Sequence, residues 1–235
     1  MKLAIQIPAY NEADWIGKAL EDIQKNFILT ETCFHSYDIL VINDGSSDAT
    51  LAILNKTPGI HIINLISHEG LGVAYRKGLA KALELGADCI VNIDADLQYQ
   101  ARDIGKLIQP VIEGYADMSI GDRQISKLMD YPAVKKITQH LGNRMISWLY
   151  QSSVKDSTSG FRAVNRETAR LLLLHLKNSY TYTIESLCLL LKQKKKVVFI
   201  PVQTRKSVRH SRLITSKIGY VKNYLKEVFA CRLLL

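Results

Sequence analysis

Residues 39–54 have the sequence ILVINDGSSDATLAIL, in which an apolar run is followed by a polar turn and the start of a helical segment. The run at 39–42 is almost uninterrupted and rich in β-branched residues, which is typical of a strand whose sheet is covered by helices on both faces. In the turn, Gly45 permits a tight bend and Asp48 is placed to cap a helix beginning at Ala49. We therefore expect one strand–turn–helix unit here, with Asp44 free to accept hydrogen bonds from a ligand.

The same rhythm recurs through the first half of the chain. Strands are predicted at 3–7, 39–42, 61–65, 89–93 and 118–120, and helices at 16–27, 73–85 and 103–113. Ile16, Leu20, Ile23 and Phe27 share one face of the first helix, and Gly86 follows the second as a stop signal. Strands that alternate with helices predict parallel βαβ units, and hence an α/β fold with a doubly wound, mostly parallel sheet and helices on both faces.

Beyond residue 120 the rhythm changes. A long helix is predicted at 134–150, a Ser/Thr/Gly-rich turn at 156–160, helices at 167–176 and 185–192, and a strand at 197–202. No linker, repeat or low-complexity tract separates the two parts. We therefore expect one compact domain made of two halves, residues 1–120 and 121–235.

Charge differs sharply between these halves. Residues 1–120 hold 9 Lys and Arg against 16 Asp and Glu, whereas residues 121–235 hold 22 against 6. The 47% hydrophobic content excludes a disordered or fibrous chain. The overall charge of +9 raises a nucleic-acid-binding protein as an alternative, but the basic half has no recognised nucleic-acid motif, so we expect no nucleic-acid partner.

Cysteine spacing and hydropathy bear on the compartment. The four cysteines are far apart, which predicts neither a zinc site nor a disulfide framework. The apolar stretch after Met1 is too short for a signal peptide, and no run reaches the length of a membrane span. Residues 214–229 have an apolar side and a lysine-rich side, which suits packing on the sheet or contact with an anionic membrane surface. We expect a cytoplasmic protein, peripheral on the cytoplasmic face of a membrane.

Polar residues follow each predicted strand, at the edge where ligands bind in open α/β sheets. They are residues 8–12 (PAYNE), 43–48 (NDGSSD), 94–98 (DADLQ) and 121–123 (GDR). Asp94 and Asp96 point the same way in an extended segment, and with the amide oxygen of Gln98 they suit Mg²⁺ or Mn²⁺. A solvated acidic turn is the alternative for a lone pair of this kind. Residues 70–72 (GLG) precede Arg76, which is predicted to face the same edge and to pair there with an acidic residue or a phosphate.

Together these segments resemble glycosyltransferase family 2, and most closely its dolichol-phosphate (polyprenyl-phosphate) mannosyltransferase group. The resemblance runs in order from residue 3 to about residue 213 and includes 43–50 (NDGSSDAT), 156–162 (DSTSGFR) and 207–213 (SVRHSRL). It implies a single GT-A-type domain, with the donor and metal in the first half and the acceptor in the second. Asp96 and Arg123 are the implied catalytic residues.

The resemblance, the position of Arg76 and the basic charge of the second half together give the candidate site residues. Those for the nucleotide sugar, with Ala9 and Arg76 included, are Pro8, Ala9, Tyr10, Glu12, Ile42, Asp44, Arg76, Asp94, Ala95, Asp96, Arg123, Lys206 and Arg212. Those for the metal are Asp94, Asp96 and Gln98. Those for the acceptor phosphate are Arg123, Lys136, Gln139, Arg144, Arg209 and Ser211. Lys136 and Gln139 stand where the family often has arginine and serine, and Arg209 stands where it usually has glycine.

The expected function is inverting transfer of a hexose, mannose from GDP-mannose, onto a polyprenyl (dolichyl-type) phosphate. An acceptor phosphate is already ionised and needs no strong general base. A UDP-glucose or UDP-N-acetylhexosamine transferase acting on a lipid phosphate or another glycan acceptor is the alternative. A sugar-nucleotide pyrophosphorylase is disfavoured because PAYNE, at residues 8–12, replaces the Gly-rich basic loop that such an enzyme needs.

Overall fold

Seven strands form one sheet in the order β3-β2-β1-β4-β6-β5-β7. A computed structural model describes residues 1–28, 33–128, 133–177 and 181–205. The strands are β1 (Lys2–Ala9), β2 (Ser36–Asn43), β3 (Ile60–Asn64), β4 (Cys89–Asn92), β5 (Met118–Asp122), β6 (Arg162–Asn165) and β7 (Val197–Pro201). The helices are α1 (Ile16–Asn26), α2 (Thr50–Asn55), α3 (Leu71–Glu84), α4 (Ile104–Ile112), α5 (Ala133–Tyr150), α6 (Arg166–His175) and α7 (Tyr182–Lys192).

The sheet is mostly parallel, as predicted. β1 pairs in parallel with both β2 and β4, β2 pairs in parallel with β3, and β5 pairs in parallel with β7. The exception is β6, which is antiparallel to both β4 and β5. It was not predicted because its four residues, RAVN, have a charged residue at one end and a polar one at the other. The signal for a buried strand is a longer apolar run.

Apolar layers cover both faces of the sheet. Alternate residues of β1 face opposite ways, so Leu3, Ile5 and Ile7 pack with α1 and α4, whereas Ala4 packs with α3, α6 and α7. The predicted stripe of α1 is buried in the first layer. Burial of each such side chain contributes about 1.5–3 kcal/mol. With both faces covered, we expect ligands to bind at the carboxyl ends of the strands.

The turn after β2 confirms most of the prediction made for it. The helix begins at Thr50, one residue later than expected, and its backbone N–H donates to the Asp48 carboxylate over 2.9 Å. Gly45 has a φ of +65°, which glycine adopts without strain. Gly45 thus allows the bend at the start of the turn, and the hydrogen bond of Asp48 holds its end.

Two further predictions concern membranes. Among the helices in the described part of the chain, none combines the length and apolarity needed to cross a bilayer. The predicted amphipathic segment at 214–229 lies outside the described residues.

Candidate functional site

The carboxyl ends of β1 and β2 lie side by side. Pro8 pairs in register with Ile42 and Ala9 with Asn43, and the Asp44 N–H donates to the carbonyl of Ala9 over 2.8 Å. Because parallel strands end at one edge, the segments after them meet there. The structure therefore brings together the predicted nucleoside-binding residues of the first two loops.

Hydrogen bonds join these two loops. The Asn11 side-chain oxygen accepts the N–H of Ser47 over 2.8 Å, and the N–H of Glu12 donates to Thr50 Oγ1 over 2.8 Å. Ala13 N–H donates to the Asp48 carboxylate over 3.1 Å. The loop that presents Tyr10 and Glu12 is thus fixed to the loop that presents Asp44.

The Asp44 carboxylate already accepts hydrogen bonds within the protein and is not free as expected, and its role toward a nucleoside stays a prediction. Its side chain is buried, and its two carboxylate oxygens accept the backbone N–H groups of Glu69 and Gly70 over 2.8 and 2.9 Å. The same carboxylate lies 2.9 Å from Nδ1 of His68. Sequence gave no sign of this, because the donors come from the loop after β3, about 25 residues further along the chain.

His68 is a site residue that sequence reasoning missed. Its ring stacks on Tyr10 with centroids 3.8 Å apart and planes 20° apart, while its Nδ1 faces Asp44. No motif marks His68, which stands two residues before the GLG segment at 70–72. Only the folded loop places it between two of the predicted nucleoside-binding residues.

Asp94 and Asp96 follow β4, but residues 95–96 form a turn and not the extended segment that was expected. Burial of the Asp94 carboxyl, followed by the negative charge of Asp96, raises the pKa of Asp94 to about 7, and Glu12 adds to the effect. Arg123 and Arg162 oppose it. Asp96, Glu12 and Arg123 therefore lie within electrostatic reach of the Asp94 carboxyl, so the acidic strand ends and the arginine converge on it.

Gly160 lies directly against the Asp94 carboxylate. A Cβ at this position would be 2.7 Å from each of the two carboxylate oxygens. Asp96 is fixed separately, since one of its oxygens accepts the backbone N–H of Gln98 over 3.0 Å. The close approach of Gly160 leaves no room for any side chain beside Asp94.

The side-chain oxygens of Asp94, Asp96 and Gln98 are of the kind that binds a hard divalent cation. Two like-charged carboxylates held close together favour a cation between them, and carboxylate and amide oxygens are the ligands that Mg²⁺ and Mn²⁺ prefer. Within the described residues, no set of three or more His, Cys, Asp or Glu side chains is grouped as a metal cage. The donor set thus suits an ion that keeps open positions for substrate oxygens, and the metal site stays a prediction.

Arg123 is held by the turn that precedes β6. Its Nε and Nη2 donate to the two carboxylate oxygens of Asp156 over 2.7 and 2.8 Å, and Nη2 also donates to Thr158 Oγ1 over 2.7 Å. Gln139 of α5 donates to the same Asp156 and Thr158 oxygens over 2.7 Å each. The structure thus brings Arg123 and Gln139, both predicted for the acceptor phosphate, onto one buried carboxylate.

Arg162, the first residue of β6, holds this turn in place, and no role was predicted for it from the sequence. It is buried, and it donates to the backbone carbonyls of Ser159 (2.6 Å), Ser157 (2.9 Å) and Thr183 (2.6 Å). It therefore fixes the turn that carries both Asp156 and Gly160. The signal for it was present in the DSTSGFR segment at 156–162, whose last residue is Arg162.

A cavity of about 290 Å³ opens beside Arg123. It is lined by Gln100, Arg123, Gln124, Lys127, Leu128, Val202, Gln203 and Thr204. Two cations, Arg123 and Lys127, face a space at the carboxyl ends of β5 and β7. The cavity is open, and the Lys127 ammonium together with the Arg123 guanidinium, whose charge Asp156 balances, suits an anionic group that accepts hydrogen bonds.

The remaining predicted residues are placed less centrally. Arg76 donates from Nη2 to the backbone carbonyl of Leu173 over 3.2 Å, a contact between α3 and α6, and its role toward the donor stays a prediction. Lys136 is half-buried and Arg144 is exposed on α5. Lys206, Arg209, Ser211 and Arg212 lie outside the described residues. The described chain ends at Arg205, whose N–H donates to the carbonyl of Gln98 over 2.9 Å.

Known proteins resemble this chain in both sequence and structure. A UDP-N-acetylglucosamine–dolichyl-phosphate N-acetylglucosaminyltransferase of Methanococcus voltae is 32% identical over 219 residues, covering 84% of this chain and 83% of the relative. An undecaprenyl-phosphate mannosyltransferase of Micrococcus luteus is 26% identical over 210 residues, covering 86% and 83%. Glucosyl-3-phosphoglycerate synthase from Mycobacterium tuberculosis, crystallised with Mn²⁺, UDP-glucose and phosphoglyceric acid, has a TM-score of 0.74 at 17% identity and covers 98% of this chain and 79% of that one.

The structural match shows the GT-A-type fold. The family model described as Glycosyl transferase family 2 matches residues 4–172, which include β2 to β6 and all but the first two residues of β1. The family match covers more than half of the chain, and the chain belongs to glycosyltransferase family 2.

Proposed function

We propose that the protein is an inverting glycosyltransferase that moves a hexose from a nucleotide sugar onto a polyprenyl phosphate. The proposed donor is GDP-mannose, and the transferred sugar is mannose. The observation that carries the proposal is the convergence of Asp94 and Asp96 with Arg123 at one sheet edge. The carboxylate pair suits a metal–diphosphate, and the arginine beside it suits a second phosphate. The relatives from Methanococcus voltae and Micrococcus luteus, both named for transfer to a lipid phosphate, support this acceptor class.

The two halves of the chain have different tasks in this proposal. Residues 1–120 hold the nucleotide through Pro8, Tyr10, Glu12 and Asp44, and residues 121–235 hold the acceptor. The register of β1 with β2 and the hydrogen bonds between their loops support this assignment, because they would hold the residues in position before the donor arrives. Such preorganisation lowers the entropy lost on binding.

Chemistry takes place between the halves. A divalent ion bound by Asp94, Asp96 and Gln98 would neutralise the nucleoside diphosphate as it leaves. Asp156 orients the Arg123 guanidinium through two hydrogen bonds, and Arg123 and Lys127 supply positive charge for the acceptor phosphate beside the cavity. Because the acceptor phosphate is already ionised, its oxygen attacks the anomeric carbon with no general base. Attack opposite the leaving group inverts the configuration at that carbon.

The exposed side chains of α5 suggest that the protein acts at a membrane surface. Ile137, Leu141 and Trp148 lie on one stripe of this helix and are 61%, 61% and 76% exposed. Arg144 falls on the same stripe. Exposed apolar side chains with a tryptophan and a cation suit the interface of an anionic bilayer. The opposite side of the helix carries Gln139, which reaches the Asp156 carboxylate.

A UDP-N-acetylglucosamine donor is the second candidate. It is favoured by the relative from Methanococcus voltae, which is named for that donor and is 32% identical over 84% of this chain. The fold and the carboxylate pair serve either donor equally. A comparison of donors in a transfer assay therefore distinguishes guanine from uracil and mannose from N-acetylglucosamine.

The test is a donor panel. Purified protein with Mg²⁺ or Mn²⁺ is incubated with labelled GDP-mannose, UDP-glucose or UDP-N-acetylglucosamine and a short polyprenyl phosphate, and the lipid phase is extracted. We expect label from one donor in the lipid phase, with GDP-mannose as the preferred donor. Transfer from a UDP-sugar alone would replace the donor assignment, and transfer only to a soluble sugar would refute the lipid acceptor.

A further inference from the structure

His68 makes two contacts that a nucleobase would need at the same place. Its imidazole stacks on the ring of Tyr10 with centroids 3.8 Å apart, and its Nδ1 lies 2.9 Å from the Asp44 carboxylate. Tyr10 and Asp44 are the aromatic and acidic members of the nucleoside site in the proposed function. One planar ring therefore satisfies both of them at once.

The imidazole of His68 and a nucleobase offer the same groups to Tyr10 and Asp44. Guanine and uracil each present a flat ring for stacking and a ring N–H that donates to a carboxylate. An imidazole with its proton on Nδ1 offers the same pair of features within one side chain. We propose that His68 occupies the place of the base in the donor-free protein, and that the nucleotide binds by displacing it. The inference rests on the proposed function and makes His68 a residue that sets nucleotide affinity.

The loop that carries His68 is fixed by its backbone. The N–H groups of Glu69 and Gly70 donate to Asp44, and the chain at 67–68 packs so tightly on Gly45 that a Cβ there would lie 2.5 Å from the backbone nitrogen of His68. These contacts do not involve the imidazole. The loop can therefore stay in place while the side chain leaves.

The His68 side chain has room to leave. It is 50% exposed, whereas the Asp44 side chain beneath it is 4% exposed. Rotation about the side-chain bonds of an exposed residue takes place in picoseconds to nanoseconds. Displacement thus requires one side chain to turn into solvent and leaves Tyr10 and Asp44 in their places for the base.

Competition between His68 and the base predicts that removal of the imidazole tightens nucleotide binding. Even at the low end of each contact, a hydrogen bond and an aromatic stack that need not be broken correspond together to a gain of at least roughly 5-fold in affinity. The gain belongs to the base alone. Pyrophosphate, which has no base, should bind the variant and the wild type equally.

The experiment is calorimetric titration of the full chain with GDP, UDP and pyrophosphate in the presence of Mn²⁺. The variants are His68→Ala and the control His61→Ala. His61 also faces a carboxylate, with Nε2 3.5 Å from Asp38, but it lies near the start of β3 and away from the site. We expect His68→Ala to bind GDP or UDP more tightly by that factor, and His61→Ala to match the wild type.

A proton NMR measurement follows the ring itself. The His68 Cε1–H resonance, assigned from its loss in His68→Ala, should move toward the position of an unstacked histidine when nucleotide is added. Equal or weaker nucleotide binding by His68→Ala, or a His68 ring that stays stacked in the complex, overturns the inference and leaves the proposed function standing. Failure of GDP and UDP to bind either protein, while both remain folded, overturns the proposed function and this inference with it.

Discussion

At the scale of single residues, the site depends on a contact between distant parts of the chain. Asp94 and Asp96 could be predicted from the sequence, because two carboxylates follow a buried strand at a spacing of two. The contact of Asp94 with Gly160 could not, because it depends on where the antiparallel β6 enters the sheet. His68 was missed for the same reason, since its partners lie on two other loops.

Gly160→Ala tests the contact with Asp94. The added Cβ would lie 2.7 Å from both carboxylate oxygens, so the Asp94 side chain must turn away. We expect the fold to survive, and Mn²⁺ affinity and transfer rate to fall on the order of tenfold, as for other changes that reorient a metal ligand. Titration of Mn²⁺ by electron paramagnetic resonance measures the affinity directly.

The control for this variant is Gly105→Ala in α4, where a Cβ would meet no atom within 4 Å. Alanine favours a helix over glycine, so this variant should be as stable as the wild type or more stable, with unchanged Mn²⁺ affinity. Unchanged affinity in Gly160→Ala as well would show that Asp94 does not need its observed orientation.

At the scale of elements, the turn before β6 connects three parts of the site. Asp156 on that turn receives Arg123 from the end of β5 and Gln139 from α5. The sequence predicted that Arg123 and Gln139 belong together at an acceptor phosphate, but it did not predict that a buried carboxylate already joins them. Residues 156–160 appeared only as a polar turn, because their partners are far away in the sequence.

Asp156→Asn tests this connection. Loss of one partner of a buried ion pair leaves the Arg123 charge uncompensated, and we expect a loss of about 3 kcal/mol in the free energy of unfolding. The KM for the lipid phosphate should rise, because Arg123 loses its orientation. Urea denaturation and initial rates measure the two effects. Glu84→Gln, which removes an exposed partner of Lys81, is the control and should cost less than about 0.5 kcal/mol.

The Asp22 carboxylate connects α1 to Ala101 and Arg205 through hydrogen bonds, and this connection depends on pH. Burial raises the pKa of this carboxyl, but hydrogen bonds from the Ala101 N–H and the Arg205 guanidinium outweigh burial and hold the pKa below its ordinary 3.8. A carboxyl whose pKa is lowered by folding stabilises the fold above its unfolded pKa, and this contribution disappears as the pH falls through the folded pKa.

Asp22→Asn should therefore be less stable than the wild type by about 1 kcal/mol at pH 7. The difference should shrink steadily as the pH falls below 3.8, the ordinary pKa of the group. Urea denaturation at a series of pH values measures it. A difference that stays constant down to pH 2 would mean that the charge of Asp22 contributes nothing to this connection.

At the scale of the whole molecule, the sequence predicted the sheet well because parallel βαβ units repeat one strong pattern. Six of the seven strands coincide with apolar runs, and β6 is the exception. The second half was harder to order, since its strands do not follow chain order across the sheet. The charge difference between the halves corresponds to a proposed division of work, with the donor at the acidic half and phosphate acceptors at the basic half.

A membrane surface as partner is tested by cosedimentation with vesicles. Wild type should sediment with vesicles that contain anionic lipid more than with neutral ones. Trp148→Ser combined with Leu141→Ser should lower the bound fraction at least about twofold, because both side chains are exposed on α5 and suit the interface. Tyr115→Ser, at an exposed residue just before β5 and outside α5, is the control. Equal binding by all three proteins would remove α5 from the contact.

In the proposed function, the Asp94–Asp96 carboxylate pair and the neighbouring Arg123 serve the transfer of a sugar to a lipid phosphate. The most direct test compares polyprenyl phosphate with the same polyprenol lacking its phosphate, each with labelled nucleotide sugar and Mg²⁺, in the wild type and in Asp96→Asn. We expect metal-dependent label in the phosphorylated lipid alone, made by the wild type and lost in the folded Asp96→Asn variant. Equal labelling of both lipids, or full activity of Asp96→Asn, would contradict it.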